Sequence, residues 1–318
     1  MSKTFKFGWL GAAALTALIG PATAQDDNGD EDKGPKSIED FVADFKAEAG
    51  LFPMYRDLET GRLYMELSAA DFEKEFIYHV YVEDGSPAFG LFRGAFLDNR
   101  ILTVDKRFDK IEFAAENTNF KFDPDNALSR AETANITRAP LAVTKIEATT
   151  GEGADARYLV DATSFLTGEV LTQLTPWSSP NTPPGSRVTL GKLSSDKTAI
   201  EKVANYDKNS DVVVEYVYDN PSPLNFGNPS ITDARSVAIS VRHSFVEVPE
   251  NDFKPRRDDF RVGYFTDQAT DMTSTSYTPY SDVITRWNLV KKDPTAEISD
   301  PVEPIVWWIE NTTPEEYR

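Results

Sequence analysis

The chain has 318 residues, with 33 lysines and arginines against 52 aspartates and glutamates, two histidines and no cysteine. A net charge of −19 repels phosphate backbones and anionic lipids, which argues against nucleic acid or a membrane surface as a partner. The lack of cysteine rules out a disulfide framework, a thiolate metal site and a cysteine nucleophile, while 40% hydrophobic and 12% aromatic residues suffice for a sizeable core.

At the N-terminus, Lys3 and Lys6 precede an apolar run over 7–19, and Pro21-Ala22-Thr23-Ala24 offers small residues where a signal peptidase reads. Residues 1–24 are therefore expected to be a signal peptide cleaved between Ala24 and Gln25, giving an exported chain, periplasmic or extracellular; an uncleaved N-terminal anchor is the alternative. Neither this run nor any later one reaches the roughly 18 to 20 apolar residues of a good membrane span, so no membrane association is expected after cleavage. Loss of Lys3 and Lys6 lowers the net charge from −19 to −21. Residues 25–36 are rich in Asp, Glu and Gly without apolar periodicity, and read as a disordered acidic linker. Asp26, Asp27 and Asp30 invite a calcium site, but the oxygens miss the alternating spacing of an EF-hand loop.

Ser37 is placed to cap a short amphipathic helix in which Ile38, Phe41, Val42 and Phe45 share a face and which Gly50 ends. From Leu51 onward the pattern is strand. Runs rich in β-branched and aromatic residues occur at 62–67, 76–82, 92–97, 101–104, 110–113, 141–148, 158–160, 212–218 and 236–248. Turn signals separate them, among them Glu83-Asp84-Gly85, Leu97-Asp98-Asn99 and Asp105-Lys106. Two interruptions, 124–138 and 163–174, read as helical, and Pro/Gly-rich stretches at 174–191 and 220–229 as loops. The expected fold class is α+β, predominantly antiparallel β: a β-rich sheet or sandwich module with a few short helices. Its expected division is an N-terminal helix and strand subdomain over 37–82 and a β-rich domain over 83–300.

Chemistry-bearing residues are few. His79 and His243 both sit in strand-like runs, and neither belongs to a His-Glu-x-x-His arrangement that would put two zinc ligands and a base on one helix face. Hydrogen-bonded sheet residues are the simpler reading of both. No Gly-x-Ser-x-Gly elbow supports a serine nucleophile, and an enzyme built from carboxylates alone stays open as an alternative. The basic segment around Arg256, Arg257 and Arg261 is interleaved with aspartates. It reads either as self-neutralising surface ion pairs or as a bidentate carboxylate-binding contact to another domain. Trp307 and Trp308, flanked by Ile305, Val306 and Ile309, suggest a buried strand more than an aromatic sugar platform. Thr313, Pro314, Glu315 and Glu316 then supply the start signals of a helix, whose continuation is expected beyond Arg318.

Three groups of residues carry a family likeness: Gly50-Leu51-Phe52-Pro53-Met54-Tyr55 with Arg62-Leu63-Tyr64-Met65-Glu66-Leu67, Arg242-His243-Ser244-Phe245-Val246-Glu247-Val248-Pro249 with Arg261-Val262-Gly263-Tyr264-Phe265, and Ser299-Asp300-Pro301-Val302-Glu303-Pro304-Ile305. In these the chain resembles the N-terminal half of a family of large secreted bacterial zinc-dependent metalloproteases. The resemblance implies that 301–318 begins a catalytic domain whose His-Glu-x-x-His helix lies beyond this sequence. It therefore implies zinc only in that missing domain, no cofactor in this chain, and no catalytic or metal-binding residue among those present. The expected function is an accessory region of such a protease, with scaffold, prosegment-like or substrate-positioning roles open. Its partner would be the catalytic domain, with peptide substrate as a second, and Arg256, Arg257, Arg261, Trp307 and Trp308 as interdomain contacts. The rival reading is an independent peptide- or glycan-binding β-module of the cell envelope.

Overall fold

The computed structural model describes residues 37–72, 74–174, 190–223 and 228–318. The leader with its Ala24–Gln25 junction, the linker over 25–36 and most of the Pro-rich stretch at 174–191 lie outside these residues. Fifteen strands follow one another: β1 Lys46–Glu48, β2 Met54–Arg56, β3 Leu63–Ser68, β4 Glu75–Asp84, β5 Phe96–Arg107, β6 Lys110–Ala115, β7 Phe120–Lys121, β8 Ala139–Thr150, β9 Arg157–Asp161, β10 Lys192–Leu193, β11 Ala199–Tyr206, β12 Asn209–Asp219, β13 Ser236–Glu247, β14 Thr266–Asp271 and β15 Tyr280–Ile284. Among the described residues there are also two short helices, α1 Ile38–Phe41 and α2 Thr163–Thr167, and a few 3-10 turns.

Twelve strands form one antiparallel sheet in the order β1-β2-β3-β9-β8-β6-β5-β4-β13-β12-β10, with β11 also on β12. Alternation along the strands sets its inner face. In β4 the residues Phe76, Tyr78, Val80 and Val82 are buried, and in β13 Val237, Ile239, Val241, His243 and Phe245 are. The sheet curls until its ends nearly meet. Leu51 N–H donates to Tyr206 O (2.7 Å), and the Asn205 amide donates to Glu48 O (2.9 Å) and Phe52 O (2.7 Å). Ser210 hydroxyl donates to Asn205 Oδ1 while accepting from Phe52 N–H (3.1 Å). These bonds pair backbone groups of both sheet ends at the closure. A separate small sheet has the order β15-β14-β7, with β7 parallel to β14.

The antiparallel β-rich expectation holds, and eight of the nine strand-like runs fall in strands β3 to β6, β8, β9, β12 and β13, whereas 92–97 reaches β5 only at Phe96 and Leu97, its first four residues making the turn before that strand. Several boundaries differ. The turn read at Leu97-Asp98-Asn99 lies inside β5, and the reversal read at Asp105-Lys106 comes at Phe108, which has φ 57°. Ser37 Oγ accepts from Asp40 N–H (3.1 Å) as a cap should, yet α1 lasts one turn because residues 46–48 are taken into β1 beside β2. The expected apolar face survives: Ile38 and Val42 are buried, and Phe41 and Phe45 pack on the Tyr64 ring at 5.2 and 5.4 Å. The helix read over 124–138 is only a 3-10 turn, Ala127–Ala131, since its alanines have no core to face and a short unburied helix is marginal. Residues 163–174 yield only α2, which stops at Gly168 and Glu169, the latter with φ 51°. At 313–318 the turn Glu315–Tyr317 follows Pro314 with no side-chain cap, so the Thr313 capping box is not formed. The division expected between residues 82 and 83 falls within β4, which pairs with β5 on one side and β13 on the other. No described helix is long and apolar enough to cross a membrane.

Candidate functional site

The segment holding Arg256 and Arg257 lies along β15, with Ile284 N–H donating to Arg256 O (2.9 Å) and a bridge between Arg257 and Val283. Arg261 folds back on Asp259, Nε to Oδ1 2.8 Å, and this guanidinium hydrogen bond holds the Asp259 carboxyl below the usual carboxylate range. Arg261 is thus neutralised within its own loop, as the interleaved aspartates suggested. The side chains of Arg256 and Arg257 are exposed and make no ion pair among the described residues.

Trp307 and Trp308 are placed differently from the buried strand that their neighbours suggested. They are 81% and 93% exposed, and 303–309 makes no backbone hydrogen bond among the described residues. The reason is positional: no residue after Ser281 is buried, so the core ends before this run begins. The run is anchored at its two ends, by Val302 N–H donating to Val290 O (2.8 Å) and by Glu310, whose carboxylate lies 3.4 Å from Arg93. No hydrogen bond, ion pair or ring contact among the described residues joins the three arginines to the two tryptophans.

The histidines face opposite sides of the sheet. His79 is half-buried on the outer face against Tyr81 and Phe96, at ring distances of 5.8 and 5.6 Å. His243 is buried at the centre, with Nδ1 2.7 Å from the Tyr78 hydroxyl and Nε2 2.9 Å from the Tyr216 hydroxyl. Proton positions follow from one acceptor. Tyr216 donates to the Leu166 carbonyl of α2, which cannot donate in return, so Tyr216 accepts from His243 Nε2–H and His243 Nδ1 accepts from Tyr78. Burial pushes the imidazole down to about 3 and the hydroxyls of Tyr78, Tyr216 and Tyr218 well up, so all four stay neutral at ordinary pH. Tyr218 in turn donates to Glu169 (2.6 Å), which also accepts Leu174 N–H (2.8 Å). This network pins α2 and the residues after it to the inner face. It does not fit zinc: both His243 nitrogens are engaged, and no group of three or more His, Asp or Glu converges among the described residues. Sequence reasoning identified the hydrogen-bonded histidine but not its partners, which only strand register brings together.

A recess that sequence reasoning missed lies where the chain leaves the sheet after β6. Arg138, at the end of this excursion, grips Asp105 and Glu112 (2.7 Å), and Arg107 also reaches Glu112 (3.0 Å), whose carboxylate is almost wholly buried. Beside this knot is a cleft of about 550 Å³ whose walls include Phe120, Phe122, Ile136 and Pro140, with Glu116 and Glu132 at its polar side. It adjoins an apolar recess of about 360 Å³ between Phe122, Leu128 and Met272. A narrower polar slot of about 290 Å³ shares Glu116 and Asn117 with it and runs along Asn99 and Arg100. The arrangement offers apolar walls, amides and carboxylates, which suits binding and supplies no aligned nucleophile and base.

No curated protein and no solved structure matches the chain. One family does match, over residues 94–292, from the start of β5 through the small sheet to the segment beyond it. That span is more than half of the sequence and contains the cleft, the slot and the buried histidine, so the chain belongs to the family described as Domain of unknown function (DUF5117).

Proposed function

We propose that this chain is the non-catalytic accessory region of an exported zinc-dependent metalloprotease, and that the protease domain packs on residues 303–309. The observation that carries the reading is the state of that run. Ile305, Val306, Trp307, Trp308 and Ile309 are all exposed, contiguous and unpaired along the backbone. Exposed apolar stretches of this kind mark interaction surfaces, and an extended one with open backbone groups suits addition to another sheet or burial under another domain. Arg256 and Arg257, without ion pairs of their own, are available to carboxylates of the same partner. The motif likeness around Arg242–Pro249 and Ser299–Ile305 supports the same assignment. In this reading zinc is held by the partner domain, the leader is removed between Ala24 and Gln25, and the chain positions or restrains the protease without reacting itself.

Two measurements test it. Sequencing the locus past the Arg318 codon is expected to show an open frame entering a domain with a His-Glu-x-x-His helix; a stop codon with no such coding sequence nearby refutes the assignment. The purified chain is expected to bind no stoichiometric zinc and to leave casein uncut. Zinc retained through dialysis together with chelator-sensitive cleavage would refute it equally.

A further inference from the structure

β5 is an interior strand over only part of its length. β4 accompanies it from Thr103 down to Phe96, whereas β6 meets it only from Leu102 upward. After Glu116 N–H donates to Ile101 O (2.9 Å) the chain turns away, so the outer edge of 96–100 pairs with no strand among the described residues. Ile101 O points toward that side, and alternate residues of a strand point alike, so the N–H and C=O of Asn99 face the slot as well. Five residues of open edge span about 17 Å. Asn99, Asn117, Asn119 and Thr137 surround this edge with amides and a hydroxyl, and the slot leads into the cleft walled by Phe120, Phe122 and Ile136. The cleft's charge is one-sided. Its guanidinium groups, Arg107 and Arg138, are held by Glu112 and Asp105, whereas Glu132 has no ion pair among the described residues.

We propose that this slot binds an extended peptide as an added strand on β5, with an apolar side chain seated in the cleft and a basic one against Glu132. An unpaired edge is a template for another chain, and backbone pairing supplies affinity while alternate side-chain pockets supply selectivity. The mode is independent of the metalloprotease assignment, since it uses neither 303–309 nor the arginines at 256 and 257.

The probes are fluorescein-labelled, amidated pentapeptides Thr-Leu-Lys-Val-Thr and Thr-Leu-Glu-Val-Thr, titrated by anisotropy against the purified chain. The lysine peptide is expected to bind saturably and at least fivefold tighter than the glutamate peptide. N-methylation of its alternate amides, a change on the peptide alone, is expected to weaken it tenfold or more. Glu132→Lys, at an exposed position, is expected to abolish or reverse the preference, and Asn99→Pro to block binding while leaving the β4 ladder intact. Absence of saturable binding by the unmodified chain, or binding indifferent to N-methylation, overturns the proposal. So does a chito-oligosaccharide that displaces the peptide and binds tighter, which would assign the slot to a glycan.

Discussion

At the scale of single residues, His243 is the most informative side chain, because its two neighbours leave it one tautomer and burial keeps it neutral. Its folded value of about 3 lies below the ordinary 6.5, so between these pH values the unfolded chain holds a proton that the folded chain refuses. Stability is therefore complete above about pH 6.5 and declines as pH falls toward 3, by up to about 1.4 kcal/mol per pH unit. Carboxylates held below their usual range, such as Glu39 at about 2 through its backbone hydrogen bond and its bonds to Thr150 and Arg157, add to the loss only below about pH 4.5. Urea midpoints at pH 7, 6 and 5 should accordingly fall in the parent chain and stay level in His243→Gln, whatever the variant's absolute stability. Tyr216→Phe leaves the Leu166 carbonyl and His243 Nε2–H buried without their partner, and is expected to cost about 1–3 kcal/mol in the same assay. The histidine was visible in the sequence as a strand residue. Its role was not, since Tyr78 lies 165 positions away and arrives only through the register of β4 on β13.

At the scale of elements, the closure between β1 and β11 centres on one amide, beside the Leu51–Tyr206 and Phe52–Ser210 bonds. Asn205 serves Glu48, Phe52 and Ser210 at once, so Asn205→Ala removes three hydrogen bonds and opens buried backbone groups. A loss of about 1–3 kcal/mol for each group left unpaired is expected, read as a lower urea midpoint. Gly50 marks the same seam. A Cβ there would stand 2.1 Å from Asn205 Oδ1 and 2.8 Å from Tyr206 N, so Gly50→Ala should destabilise by about 1–3 kcal/mol and speed amide exchange in β11 before β4. Gly50 reads in sequence as a helix stop; the structure makes it a close-approach point between sheet ends. Strands β11, β14 and β15 went unread because their residues are largely polar or exposed, leaving no clean alternation to detect.

At the scale of the whole chain, the buried core stops at Ser281 while large apolar residues continue to Tyr317. Trp307→Ala with Trp308→Ala removes nothing that the core uses, so the melting temperature should be unchanged. Self-association measured by light scattering at high concentration should fall, since the exposed run is then shorter of its two largest apolar surfaces. A drop of several degrees in melting temperature would show instead that the tryptophans are packed within this chain. Net charge of −19 opposes association throughout, which makes low salt the milder condition and high salt the revealing one.

Local chemistry made the β-rich class, the Ser37 cap, the apolar face around Ile38 and Val42, and the Arg261–Asp259 neutralisation legible from residue order alone, because each depends on neighbours a few positions apart. Helix length, the near-closure of the sheet, the tyrosine partners of His243, the open edge of β5 and the exposure of Trp307 and Trp308 came only with the fold. These depend on which distant strands pair and in what register, and pairing energy between segments a hundred or more residues apart overrides the propensity of either segment by itself.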